Sequence, residues 1–147
     1  IHEPLVINRG ESVITATPSE KFKIIGMIDF PYKAIGKQTF SIELSPKNFV
    51  EEIAPARTFG FVDQIQKLQE MGLIQGGALD NALVCNGDSW LNPPLRFIDE
   101  PIRHKLLDLI GDLAFVGLPQ AQIMVYKGSH ALHADLASAL LQNCSVA

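Results

Sequence analysis

Cysteine, basic residues and long apolar runs are all scarce in this 147-residue sequence. Two cysteines, Cys85 and Cys144, are too few for a disulfide framework and lack the spacing of a metal-binding motif. We therefore expect free thiols and a reducing compartment, the cytoplasm. No apolar run approaches the roughly 20 residues that a membrane-spanning helix needs, so the protein is not expected to span a membrane.

The charge balance argues against nucleic acid as a partner. Lysine and arginine total 12 against 16 acidic residues, the formal net charge is −4, and the lysines are scattered rather than clustered. Nucleic-acid binding requires a concentrated positive surface, so no nucleic-acid partner is expected. What the chain does contain is 47% hydrophobic residues, which is enough for one globular domain with a substantial core.

The distribution of apolar and turn residues predicts an α+β fold. Four β-rich segments, at 5–7, 12–17, 22–29 and 39–44, predict an antiparallel meander. A helix is expected over 61–71 and a hairpin around Asn86-Gly87. A second helix is expected from Asp99 or Glu100 to about Phe115, followed by a strand over 122–126 and a last helix capped by Ser129.

The most unusual feature is a polar stripe on the second helix. His104, Asp108 and Asp112 recur at four-residue steps in a segment otherwise rich in leucine and isoleucine, which places them on one helix face. Imidazole and carboxylate four residues apart can bind one zinc ion, but the same pair also occurs as a solvated ion pair. A catalytic zinc site needs a third protein ligand, and no other histidine of the chain has an obvious geometry for it.

Two further polar features each have two interpretations. His130 and His133, at the start of the last helix, could supply a general acid or base, or could be two exposed helix residues. Thr58, in the loop before the first helix, could be the N-cap of that helix or could donate a hydrogen bond to charge developing on a substrate oxygen. Spacing alone does not decide between these alternatives.

Five ordered blocks of sequence carry a family resemblance. They are Arg57-Thr58-Phe59-Gly60-Phe61, Gly76-Gly77-Ala78-Leu79-Asp80-Asn81, Leu95-Arg96-Phe97 with Asp99-Glu100, Arg103-His104-Lys105 through Asp112-Leu113, and Tyr126-Lys127 with His130-Ala131-Leu132. In this order and spacing they resemble the zinc-dependent UDP-3-O-acyl-N-acetylglucosamine deacetylases of lipid A biosynthesis, over most of residues 20–140.

The resemblance implies one half of a two-domain protein. Each domain of that family is a small sheet with helices packed on one face, and the two domains face each other helix to helix. Residues 1–147 resemble the second, C-terminal domain. The first domain's His-Thr-x-Glu-His segment, which holds the general base and the third zinc ligand, has no match here. We therefore expect the N-terminal half to be absent or on another chain, and this chain alone to be a poor enzyme.

The implied reaction is hydrolysis of the N-acetyl group of UDP-3-O-acyl-N-acetylglucosamine, which yields acetate and a free amine. His104 and Asp108 resemble the family's zinc (Zn2+) ligands, and this ligand type also allows Fe2+. Thr58 resembles the residue whose hydroxyl helps hold the oxyanion. His130 resembles the histidine that stabilises the oxyanion and protonates the leaving amine, and Asp112 its orienting carboxylate.

The resemblance also implies contacts with the rest of the substrate. Lys105 resembles the lysine that meets the nucleotide phosphates, and Phe59 resembles an aromatic residue that packs against the sugar. For the residues that fall where the family lines its acyl-chain passage, ordinary core packing is the alternative. These residues are Val62, Ile65, Leu79 and Val84.

The chain departs from the family pattern at two places. It reads Tyr126-Lys127-Gly128-Ser129-His130 where many members read Tyr-Lys-Ser-Gly-His, and its Phe30-Pro31-Tyr32 segment lacks the histidine of the family's Phe-x-His-Pro. The alternative function is a non-catalytic nucleotide-sugar-binding module of the same fold, but such a module should have lost at least one of the scattered functional residues. An unrelated metalloprotein would need a closed ligand set that the sequence does not show.

Overall fold

The computed structural model describes residues 1–71 and 81–144. These residues form an α+β fold, as predicted, with strands in two sheets. The strands are β1 (Leu5–Arg9), β2 (Ser12–Pro18), β3 (Lys23–Asp29), β4 (Lys37–Glu43), β5 (Thr58–Phe61), β6 (Ala82–Asn86), β7 (Ser89–Trp90) and β8 (Ala121–Tyr126). The helices are α1 (Pro46–Asn48), a π-helix (Phe49–Ile53), α2 (Val62–Glu70), α3 (Glu100–Ala114) and α4 (His130–Asn143).

The larger sheet has five strands in the order β1-β2-β8-β3-β4. The β1–β2 and β3–β4 pairs are antiparallel hairpins, but β8 lies between β2 and β3, antiparallel to the first and parallel to the second. The predicted meander is therefore wrong at its centre. Alternation and turn residues identify strands and tight hairpins, but they carry no information about a strand that arrives from far along the chain.

One face of the larger sheet is apolar and is covered by α3 and α4. The α3 helix packs over β3 and β4, whereas α4 packs over β1 and β2. At Gly26 a Cβ would lie 2.5 Å from the Leu106 side chain, so the bare backbone lets α3 lie low on the sheet. The strand residues buried beneath the helices are Ile14, Ala16, Ile24, Ala121, Ile123 and Val125.

The smaller sheet contains β5, β6 and β7. The β5 and β6 strands are parallel, α2 packs against both, and β6–β7 is an antiparallel hairpin with Gly87 at a φ of +67° in its turn. The hairpin prediction is confirmed. The N-cap interpretation of Thr58 is wrong, because Thr58 begins β5 and α2 begins at Val62. A four-residue strand is too short for its alternation to be recognised.

A buried ion pair attaches the segment before β5 to the first turn of α3. Glu100, which is 0% exposed, accepts hydrogen bonds at 2.9 Å from the backbone N–H and from Nε of Arg57. It also accepts the backbone N–H of Arg96 at 2.7 Å. The side chain of Arg57 is 12% exposed, so both charged side chains are largely removed from water and compensate each other. Residues 56–58 are thereby held against α3.

The ends of α3 and α4 agree with the sequence predictions. The α3 helix begins at Glu100, with Pro101 in its first turn, and Ser129 caps α4 by accepting the backbone N–H of Leu132. Cys85 is buried and both cysteines are free thiols, as expected. None of the described helices combines the length and the apolarity needed to cross a bilayer.

Candidate active site

The predicted polar stripe lies on α3, away from the core. His104, Asp108 and Asp112 follow one another at one-turn intervals, and their side chains are 16%, 20% and 28% exposed. Because the apolar residues of α3 occupy the opposite side, the stripe is presented outward. The buried apolar residues of this helix are Ile102, Leu106, Leu109, Ile110 and Leu113.

The imidazole of His104 has one nitrogen engaged and one available. Its Nδ1 lies 3.1 Å from the carbonyl oxygen of Ala56. A carbonyl oxygen can only accept, so Nδ1 carries the hydrogen and the neutral ring presents the lone pair of Nε2. A backbone carbonyl at the second nitrogen is a common partner of metal-binding histidines, since it fixes both the tautomer and the ring orientation.

The spacing between His104 and Asp108 suits a metal ion. Nε2 of His104 and Oδ1 of Asp108 lie 3.4 Å apart. Two ligands about 2.1 Å from one tetrahedral zinc ion would stand about 3.4 Å apart, so this pair fits two of its positions. Within residues 1–71 and 81–144, no third histidine, cysteine or carboxylate completes the pair.

At the C-terminal end of the stripe, one carboxylate binds two imidazoles. Oδ2 of Asp112 lies 2.7 Å from Nδ1 of His130 and 2.7 Å from Nδ1 of His133. The two histidines are three residues apart at the start of α4 and differ in environment, because the His130 side chain is 71% exposed and that of His133 is 1% exposed. The interpretation of both as exposed helix residues is therefore wrong for His133.

The surroundings of this cluster determine its charges. Burial by itself raises the pKa of Asp112, but the hydrogen bonds from His133 and His130 outweigh it and hold that pKa below its usual value. Burial also holds the pKa of His133 below its usual value, although the hydrogen bond to Asp112 acts in the opposite direction. Near neutral pH, Asp112 is therefore ionised and His133 is neutral.

A pocket of about 290 Å³ adjoins the predicted metal pair. Lys105 lines the pocket, and Nζ of Lys105 lies 3.2 Å from Oδ2 of Asp108. Lys105 therefore connects the pocket with the predicted His104–Asp108 metal pair. Lys127, which sequence reasoning did not single out, lines the same pocket from the end of β8. Its Nζ lies 2.8 Å from the exposed Glu11, and its backbone has a φ of 51°. Asp29 also lines this pocket, so its charged lining is two ammonium groups and one carboxylate, a net positive set that suits an anionic ligand.

Thr58 and Phe59 reach the stripe through β5, which contacts α3. Thr58 is exposed and lies two residues after Ala56, the partner of His104. The Phe59 ring is half-buried, with its centroid 6.5 Å from that of the His104 ring in an edge-to-face arrangement. Phe59 thus lies at the His104 end of the stripe, and Thr58 precedes it in β5.

Three of the four residues predicted to line an acyl-chain passage belong to the smaller sheet and α2. Val62 and Ile65 are half-buried on α2, and Val84 is 8% exposed in β6. Ile65 lies over Gly60 of β5. Packing within this unit accounts for all three, so their contact with an acyl chain stays a prediction. Leu79 lies outside the described residues.

Comparison with known proteins places this chain in a family. The profile of the family described as LpxC, UDP-3-O-acyl N-acetylglycosamine deacetylase, matches residues 1–142. A protein of Thermosynechococcus vestitus named UDP-3-O-acyl-N-acetylglucosamine deacetylase is 52% identical over 143 residues, which are 97% of this chain and 50% of the relative. A protein of Synechocystis sp. with the same name is 53% identical over 138 residues, 93% of this chain and 50% of the relative.

A plant relative shows similar coverage. The Arabidopsis thaliana protein named "Probable UDP-3-O-acyl-N-acetylglucosamine deacetylase 1, mitochondrial" is 45% identical over 146 residues, which cover 93% of this chain and 45% of the relative. The chain thus spans about half the length of the curated relatives it matches.

Proposed function

This chain belongs to the UDP-3-O-acyl-N-acetylglucosamine deacetylase family, and we propose that it supplies two metal ligands and the acid–oxyanion groups of such an enzyme. The substrate is UDP-3-O-acyl-N-acetylglucosamine, and the products are UDP-3-O-acyl-glucosamine and acetate. The observation that carries the proposal is the arrangement on α3, where a histidine–aspartate pair with a 3.4 Å spacing is followed one turn later by a carboxylate bound to an exposed histidine.

The proposed cofactor is zinc, with Fe2+ as the alternative, held by Nε2 of His104 and a carboxylate oxygen of Asp108. When bound, such an ion polarises the amide carbonyl and lowers the pKa of a bound water molecule. The hydrogen bond from Nδ1 of His104 to Ala56 keeps Nε2 unprotonated and aimed outward, which supports the assignment.

We assign stabilisation of the oxyanion to residues of β5 and α4, and protonation of the leaving amine to a residue of α4. The hydroxyl of Thr58 donates a hydrogen bond to the oxygen on which charge develops when water adds to the amide carbon. In its imidazolium form, with hydrogens on both ring nitrogens, His130 donates a hydrogen bond from Nε2 to the same oxygen and transfers that proton to the amine nitrogen as the carbon–nitrogen bond breaks. Asp112 supports this role because it engages Nδ1 of His130, so that Nε2 is the ring nitrogen left for the substrate.

The pocket lined by Lys105 and Lys127 is the proposed site of the nucleotide phosphates. A diphosphate carries two negative charges close together, and the two ammonium groups of this pocket can bind it, although the Asp29 carboxylate in the same lining offsets part of their charge. Phe59 packs against the sugar from the side of His104. Val62, Ile65, Leu79 and Val84 remain the proposed lining for the acyl chain.

A second half of the enzyme is proposed to cover the outer face of α3 and α4. Phe115 is 93% exposed and Leu141 is 68% exposed, and both line the groove beside Asp112 and His130. Apolar side chains next to a polar site are typical of a surface that a partner covers. We propose that the partner is the half of the relatives that this chain does not match, and that it supplies the general base and the third metal ligand.

The cytoplasm remains the proposed compartment. Two free thiols, one of them buried, support a reducing environment. The Arabidopsis relative is named as mitochondrial.

The experiment that tests the function combines this chain with the unmatched half of the Thermosynechococcus vestitus relative. Release of acetate from UDP-3-O-acyl-N-acetylglucosamine is measured with zinc for the chain alone, the added half alone and the mixture. We expect turnover only in the mixture, because only then is the ligand set complete and the general base present. Full turnover by this chain alone would contradict the proposal that a second half supplies the general base and the third metal ligand.

The same experiment tests the alternative of a non-catalytic module. If the chain is folded and binds UDP but no mixture releases acetate, the deacetylase assignment fails and nucleotide-sugar binding becomes the better description. If it neither binds UDP nor releases acetate in any mixture, both descriptions fail.

Lys127→Ala should weaken UDP binding by this chain about tenfold to a hundredfold, the effect expected when one charge-assisted contact to phosphate is removed. Lys21→Ala is the matched control, because Lys21 also pairs with a glutamate, at 2.6 Å, but lies outside this pocket. Isothermal titration calorimetry with UDP measures both variants. Equal affinities for the two variants would show that the phosphates do not bind at Lys127.

A further inference from the structure

His133 has a chemical environment that ordinary packing does not explain. Its side chain is 1% exposed, and leucine would fill such a site without removing a polar ring from water. Its Nδ1 lies 2.7 Å from Oδ2 of Asp112, whereas its Nε2 is buried without a hydrogen-bond partner among the described residues. The hydrogen bond to Asp112 is thus what a histidine adds here.

The carboxylate of Asp112 needs a second contact to be held in one position. The His130 ring contacts the same oxygen at 2.7 Å, but its side chain is 71% exposed, so few packing contacts hold it in place. His133 is packed inside the core beneath it, and its neutral Nδ1–H can only donate. It therefore fixes Asp112 from the protein interior, on the side opposite to solvent.

Gly128 explains how the His133 ring fits. A Cβ at position 128 would lie 2.9 Å from Nε2 of His133 and 2.9 Å from Cγ2 of Val125, closer than real Cβ contacts. A side chain at position 128 would therefore crowd the His133 ring, and glycine leaves room for it. Asparagine at 133 would keep a donor at the δ position but would lack the ε atoms that approach residue 128.

We propose that His133 is a positioning residue that holds Asp112 in place to fix the ring orientation and tautomer of His130, and that Gly128 is the glycine that makes room for it. This inference rests on the proposed function only for its catalytic consequence. The contacts among His133, Asp112 and His130 can be tested by a measurement that does not require turnover.

The test is 15N NMR of the histidine side chains at a pH well above the usual imidazole pKa range. In the wild-type chain, we expect neutral His130 to carry its hydrogen on Nδ1, because Asp112 accepts it there. His133→Leu should shift His130 towards the Nε2–H tautomer that free imidazole side chains favour. His133→Asn should retain the wild-type tautomer, since its Nδ2–H replaces Nδ1–H.

Gly128 provides a second, independent variant. Gly128→Ala should produce the same tautomer change as His133→Leu, and the double variant Gly128→Ala/His133→Asn should reverse it. Thermal unfolding identifies any variant that fails to fold. The variants that do fold then show whether His133 controls the tautomer of His130. An unchanged His130 tautomer in folded His133→Leu would overturn the inference.

The assembled enzyme separates this inference from the proposed function. His133→Leu should lower kcat about tenfold with little change in KM, less than the 10²–10⁴-fold that a general acid itself contributes. An unchanged kcat in His133→Leu would show that His133 does not contribute to catalysis. A tautomer change without deacetylation by any form, wild type included, would leave the structural inference standing and would refute the deacetylase function.

Discussion

Replacement of Glu100 by glutamine should lower the free energy of unfolding by about 3–5 kcal/mol. Glu100 is fully buried and accepts hydrogen bonds from the Arg57 side chain and from the backbone N–H groups of Arg57 and Arg96. Glutamine keeps the size of the side chain but removes its charge, so the nearly buried guanidinium of Arg57 loses the carboxylate that compensates it. Urea denaturation of this chain measures the change.

Asp135→Asn is the matched control for Glu100→Gln. Asp135 also binds an arginine, Arg9, at 2.9 Å, but these side chains are 40% and 56% exposed. The same change from carboxylate to carboxamide should therefore cost less than about 1 kcal/mol. Equal losses in the two variants would show that burial of the Glu100 pair is not the source of its contribution.

The stability contributed by Glu100 also depends on pH. Burial by itself raises the pKa of Glu100, but the hydrogen bonds from Arg57 and Arg96 outweigh it, so the pKa lies below the usual 4.5. A carboxyl group whose pKa is lowered by folding stabilises the folded state above its unfolded pKa, and this contribution is lost as pH falls through the folded pKa. The difference in the free energy of unfolding between wild type and Glu100→Gln should therefore become smaller below about pH 4.5.

His104→Ala should abolish tight zinc binding and reduce deacetylation at least about a hundredfold in the mixture of this chain with the unmatched half of a relative. Loss of a residue that only supports a metal ligand typically costs 10–100-fold, and Nε2 of His104 is itself a proposed ligand. The metal content of the purified mixture and the rate of acetate release measure the two effects together.

His2→Ala is the control for His104→Ala. It removes an exposed imidazole that lines a different pocket, beside the end of α4. Zinc content and rate should match wild type. If His104→Ala retains one zinc ion per complex and full turnover, the metal site is elsewhere in the protein.

The local predictions succeeded where short-range patterns carry the information. The limits of α3 and the Ser129 cap of α4 were predictable because Pro101 and Ser129 act within one helical turn. The one-turn spacing of His104, Asp108 and Asp112 likewise follows from helical periodicity alone.

The errors concern residues whose environment comes from distant segments. The insertion of β8 between β2 and β3, and the short strand that begins at Thr58, depend on pairing between segments far apart in the chain. The burial of His133 depends on the packing of α4 over the sheet and on the bare backbone at Gly128.

By itself, the sequence determined the α+β class, the polar stripe on α3 and the family, because periodicity, caps and ordered motifs are local properties of the chain. Only the tertiary structure joined Glu100 to Arg57, brought Lys127 beside Lys105 and placed a buried His133 against Asp112. These contacts connect residues from different elements. Their energies depend on burial and on a few ångströms of separation, which no single stretch of sequence specifies.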